Sequence, residues 1–97
     1  MANEEAERLL QDLPGWRLAG PSIEKEFKFT SYSQGLDFAN AVGLIAEEQN
    51  HHPDMLVRWR RVKVTLSTHV IKGLSMNDFI MAARAELEYQ KHSPRLG

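Results

Sequence analysis

The chain has 97 residues, 42% hydrophobic and 26% charged, with a formal net charge of -1. That is the composition of an ordinary globular protein, and it gives no sign of binding nucleic acid or a membrane. There is no cysteine, which excludes disulfides, thiolate metal sites and cysteine nucleophiles together.

One domain over 1–97 is expected, too small to enclose a deep cleft without a second subunit, so an oligomer is expected too. The acidic start, Met1 to Glu7, lacks the basic and apolar regions of a signal peptide. No run approaches the roughly 18 apolar residues of a membrane span, and the expected location is cytoplasmic.

Ala6, Leu9, Leu10 and Leu13 fall at helical spacing behind Asn3, a capping residue, with Glu4 and Glu5 in the first turn, where the helix dipole favours acids. Pro14-Gly15 ends this helix. Trp16, Arg17 and Leu18 form a short strand, Gly20-Pro21 a turn, and Ile23, Lys25, Phe27 and Phe29 alternate with Glu24, Glu26, Lys28 and Thr30. This predicts a hairpin with one buried face.

Ser31 with Gln34 suggests a capping box, and Leu36, Phe38, Ala39, Val42, Ile45 and Ala46 form the stripe of a helix from Tyr32 to Gln49. Gly35, Ala39, Gly43 and Ala46 line nearly one side, where they allow close approach to the sheet. Pro53 disfavours a helical conformation at His52, so His51 and His52 are placed at a helix-to-strand corner.

A strand from Asp54 to Trp59, a tight turn at Arg60-Arg61 and a strand from Val62 to Val70 make a second hairpin. Continued alternation puts His69 beside Ser67, on the face opposite Val64 and Leu66. The cations Arg58, Arg60, Arg61 and Lys63 read as a solvated hairpin tip.

Lys72-Gly73 breaks the strand. Ser75 and Asp78 then start a last helix with the stripe Met76, Phe79, Ile80, Ala83 and Leu87, and with Arg84, Glu86, Glu88 and Lys91 outside. His92 lies in the polar tail and Ser93 to Gly97 is expected to fray. The order α-β-β-α-β-β-α predicts an α+β fold of two layers: a four-stranded antiparallel sheet with three helices on one face.

Three of the four histidines cluster between Glu47 and Asp78. Histidine exchanges protons near neutral pH, so the cluster suggests acid/base chemistry. Adjacent residues such as His51 and His52 point apart and rarely reach one ion, and Glu47 with His51 is not the two-histidine helical spacing of zinc proteases, so no metal site is predicted. Ser67 and His69 lack a nucleophile elbow, and no glycine-rich phosphate loop is present. What remains is metal-free acid/base chemistry, which suits an elimination of water, and the residues by themselves point to a lyase or an isomerase. Histidines from two elements would flank a small molecule, with Glu47 orienting His51.

Glu47, His51-His52-Pro53, Trp59, His69 and Asp78, at their spacing, resemble the signature of the pterin-4a-carbinolamine dehydratase family. Pro14-Gly15-Trp16, Phe27-Lys28-Phe29, Val64-Thr65-Leu66-Ser67-Thr68-His69 and Gly73-Leu74-Ser75 extend the likeness over nearly the whole chain. The resemblance implies an enzyme, a cytoplasmic lyase working without metal or organic cofactor. It would dehydrate 4a-hydroxytetrahydrobiopterin to the quinonoid dihydropterin in tetrahydrobiopterin recycling, after an aromatic amino acid hydroxylase has turned over. It implies His51 and His69 as acid and base with Glu47 beside His51, and His52 as the residue holding the pterin. Pro53, Ser67, Thr68, Val70 and Asp78 would line the substrate pocket, with capping of the last helix the stronger reading for Asp78. The resemblance also implies assembly as a homodimer or homotetramer.

Asn50, Met55 and Asn77 depart from residues common in that family and bear on pocket polarity. Two other roles fit such a chain: an interaction, assembly or coactivator module using a helix surface, and a dehydratase-like protein of molybdopterin metabolism.

Overall fold

The computed structural model describes residues 1–92; the expected fraying of Ser93 to Gly97 lies outside them. The elements are α1 (Asn3–Leu10), β1 (Arg17–Ala19), β2 (Ser22–Lys28), α2 (Tyr32–Gln49), β3 (Asp54–Arg58), β4 (Arg61–Leu66), a 3-10 turn (His69–Ile71) and α3 (Met76–His92). The strands form an antiparallel sheet in the order β1-β2-β4-β3, and the three helices cover one face of it.

The register explains the core. Phe27 lies opposite Val62, Lys25 opposite Val64 and Ile23 opposite Leu66, while Val57 and Met55 of β3 face Val62 and Val64. Because side chains alternate across a strand, all of these point to the helical face. Ile23, Phe27, Val62, Val64 and Leu66 are fully buried there with Phe38 and Val42 of α2. Phe27, Phe29, Phe38 and Tyr89 pack ring on ring, with centroids 4.7 to 6.0 Å apart.

α2 lies close to the sheet because Gly35 has no side chain: a Cβ there would stand 3.3 Å from a methyl of Val62. Its start is the predicted one, with the Ser31 hydroxyl accepting from the Gln34 N–H.

Several expectations need correction. α1 ends at Leu10, its N-cap is Ala2 and Asn3 is its first helical residue; Leu13 still enters the core from the following turns. Trp16 is buried ahead of β1. The second hairpin turns at Trp59-Arg60, with Arg60 in the left-handed region at φ 59, because Arg58 already pairs with Arg61. Leu36 is exposed.

In α3 the buried residues are Asp78, Phe79, Met81, Ala82 and Ala85, whereas Met76, Ile80 and Leu87 of the expected stripe are exposed. Glu86, expected outside, accepts from Trp16 Nε1 at 2.9 Å and from Lys25 Nζ at 2.8 Å. It fastens α3 to the first hairpin.

Candidate active site

One wall of the site is the corner after α2. Asn50 adopts the left-handed conformation at φ 51, its N–H bonds to the Glu47 carbonyl and that of His51 bonds to the Ala46 carbonyl. This is a Schellman termination, and asparagine is among the few residues that take the left-handed position readily. The chain then leaves the helix through His51 and His52, and Pro53 directs it into β3.

The other wall follows β4. Leu66 is its last residue, opposite Ile23 near the start of β2, and Thr65 faces Asp54, the first residue of β3. The ladder ends there, and the expected strand to Val70 is not formed. Thr68 and Gly73 instead bridge to each other, enclosing the 3-10 turn from His69 to Ile71, which Lys72 ends at φ 51. His69 is exposed, as expected, but it is presented by a turn and not by a strand face.

Between the walls lies a cleft of about 320 Å³. Asn50, His51, His52, Pro53 and Asp54 line one side, and Ser67, Thr68, His69 and Val70 the other. Val70 is 92% exposed and gives the rim an apolar edge. Asp54 was not singled out from the sequence, although a first strand residue beside the histidine pair is a recognisable position. Of the three departures noted above, Asn50 lines the cleft, whereas Met55 points to the helical face and Asn77 is exposed.

Glu47 and Asp78 do not line the cleft, and the place beside His51 expected of Glu47 falls to Asp78. The left-handed turn at Asn50 takes His51 off the face it would share with Glu47 on a continued helix. Glu47 pairs with His52 instead, and both side chains are more than half exposed.

Asp78 is 0% exposed and pairs with His51, Nε2 to Oδ1, at 2.6 Å. Its Oδ2 accepts from the Thr68 hydroxyl and from the Ser75 N–H, both at 2.9 Å. The capping bond to Ser75 expected of Asp78 is therefore present, as one of three. Fully buried and absent from the cleft lining, Asp78 stands behind His51 and Thr68, which corrects its placement among pocket-lining residues.

A carboxylate accepts and does not donate, so Nε2 of His51 carries a hydrogen. No described residue bonds Nδ1, and no buried side-chain nitrogen or oxygen lacks a partner. Nδ1 therefore keeps contact with solvent, and His51 lines the cleft. Among the described residues, no three His, Asp or Glu side chains are grouped to hold a metal ion.

The family model described as pterin 4 alpha carbinolamine dehydratase matches residues 1–87. A protein of Rubrobacter xylanophilus with the provisional name pterin-4-alpha-carbinolamine dehydratase is 44% identical over 89% of this chain and 81% of its own. One of Nitrosospira multiformis with the same provisional name is 42% identical over 93% and 80%.

Among solved structures, the transcriptional coactivator/pterin dehydratase from Brucella melitensis superposes with a TM-score of 0.88 at 31% identity, covering 92% of this chain and 97% of that one. A pterin dehydratase-like protein identified as a RuBisCO assembly factor in the alpha-carboxysome superposes at 0.63 and 25% identity, covering 76% and 86%.

Proposed function

This chain belongs to the pterin 4 alpha carbinolamine dehydratase family, and from that premise we propose that it dehydrates 4a-hydroxytetrahydropterin to quinonoid dihydropterin and water. The observation that carries the proposal is the pairing of His51 with a fully buried carboxylate, Asp78, on one wall of a cleft whose other wall presents His69.

The reaction needs two proton movements. One histidine protonates the leaving hydroxyl as the carbon-oxygen bond breaks, and the other takes the proton from a neighbouring ring N–H. Asp78 holds His51 with Nε2–H inward, so Nδ1 faces the cleft as the working nitrogen. His69 meets the substrate from the opposite side. His52, Pro53 and the segment from Ser67 to Val70 surround the ring, and Glu47 steadies His52.

A stopped-flow assay of carbinolamine dehydration tests this, with the substrate generated by an aromatic amino acid hydroxylase. The wild-type protein should accelerate the step, and chelation of metals should leave the acceleration intact. His51→Ala and His69→Ala should each lower the rate by roughly ten- to a thousandfold, the usual size of a general acid/base contribution. The double variant should approach the uncatalysed rate. No acceleration by folded wild-type protein would overturn the proposal.

A second role, in assembly or coactivation, is supported by Tyr32, Leu36 and Leu44 of α2 and Ile80 and Leu87 of α3, all of them exposed. Neither role requires the loss of the other, since these residues do not line the cleft.

A further inference from the structure

Asp78 has two carboxylate oxygens and uses them on different walls of the cleft. Oδ1 takes His51, and Oδ2 takes the hydroxyl of Thr68, the residue directly before His69. The hydrogens in this cluster can be assigned. Thr68 has one hydroxyl hydrogen and gives it to Oδ2, so its 2.6 Å contact with the Ser75 hydroxyl must be donated by Ser75. The chain of donation runs from Ser75 to Thr68 to Asp78 and ends on the carboxylate that also receives His51.

The backbone of Thr68 is held just as firmly. Its N–H donates to the Gly73 carbonyl at 2.7 Å, which closes the turn that carries His69. The geometry points to Thr68 as a positioning residue: its hydroxyl locks the His69 turn to the carboxylate that holds His51, so one buried group spaces both acid/base histidines across the cleft. This rests on the dehydratase function proposed above.

The physical reason is the steep dependence of proton transfer on distance. A displacement of about 1 Å costs on the order of a hundredfold in rate. The His69 turn sends no side chain of its own into the core, since His69 is exposed, Val70 is 92% exposed and Ile71 is 56% exposed. Without the Thr68 hydroxyl the turn keeps its own backbone bonds but loses its side-chain tie to α3.

The test compares Thr68→Val, which keeps the shape and removes the hydroxyl, with Thr68→Ser, which keeps the hydroxyl. Folding is verified by thermal melting, and kcat and KM are measured in the dehydration assay. Thr68→Val should lower kcat by roughly ten- to a hundredfold while KM changes by less than about threefold, and Thr68→Ser should recover to within about threefold of wild type. In a His69→Ala background the valine substitution should cost almost nothing more, because the group it positions is gone.

Wild-type kcat in Thr68→Val, equal impairment in Thr68→Ser, or an undiminished penalty in the His69→Ala background would each overturn the inference. If the valine variant does not fold, Thr68→Ala carries the same expectations and decides. A folded wild type without activity would overturn the dehydratase function itself, a result seen before any variant is compared.

Discussion

Asp78 shows how much one buried carboxylate can determine. Asn in its place keeps the size but presents an N–H₂ on one side. With its oxygen toward Thr68 and Ser75, which both donate, the amide must donate to His51 and turn that imidazole to the Nδ1–H tautomer. Asp78→Asn should therefore lower turnover by about a hundredfold or more, as a wrong tautomer does in other histidine-carboxylate pairs. ¹⁵N NMR should show Nε2–H in the wild type and Nδ1–H in the variant; an unchanged tautomer would sink this account. Glu47 stands in contrast. Its pair with His52 is exposed, where such contacts are worth about 0–1 kcal/mol. Glu47→Gln should shift KM by less than about fivefold and leave kcat within about twofold, by steady-state assay.

At the scale of elements, the least conspicuous tie is the one between α3 and the first hairpin. Glu86 receives Trp16 and Lys25, and the Lys25 ammonium also reaches the Pro14 carbonyl at 3.0 Å. Removing the acceptor strands an indole N–H and leaves a largely covered ammonium with the Pro14 carbonyl alone. Glu86→Ala should cost about 1–3 kcal/mol in urea unfolding. Helical periodicity did not disclose this residue, because α3 carries two apolar stripes. The expected one joined Met76, Ile80, Ala83 and Leu87 to Phe79, yet of these only Phe79 is buried, with Met81, Ala82 and Ala85 beside it. Ala82 and Ala85 let the helix approach closely, and a pattern weighted by size passes over them. In α2 the N-cap and the glycine were legible. Gly35→Ala should destabilise the fold by about 1 kcal/mol, since crowding fully buried Val62 outweighs the gain in helix propensity.

The whole molecule has one covered face of the sheet and one polar face. On the polar face Glu24 is nearly buried between Lys63 at 2.9 Å and Arg17 at 3.3 Å. The Lys63 bond, aided by Arg17 and opposed by burial, holds its carboxyl below the ordinary value of 4.5. A depressed value in the folded state means that this stabilisation is complete above the ordinary value and is lost as pH falls through the folded one. The wild-type melting temperature should therefore fall more steeply than that of Glu24→Gln as pH is lowered from 4.5; parallel curves would contradict it. On the helical side, the exposed apolar residues of α2 and α3 make a face suited to a second copy of the chain. Sedimentation should show a dimer or tetramer, and Leu44→Glu, at a position 65% exposed, should reduce its mass without unfolding it.

Local chemistry wrote the element order into the sequence. Alternation marked the strands, Ser31 the start of α2, and Pro53 with the histidine pair the corner that forms one wall of the cleft. The residue set around that cleft was legible too, because its members lie in two short segments, 50–54 and 67–70. What only the tertiary structure decided is which carboxylate serves which histidine. Spacing along a helix favoured Glu47 for His51, but one left-handed residue, Asn50, ended the helical phase. Folding then carried Asp78, distant in sequence, under His51 and Thr68. Periodicity reports which face a residue occupies on its own element, and it cannot report a contact whose partner arrives from another.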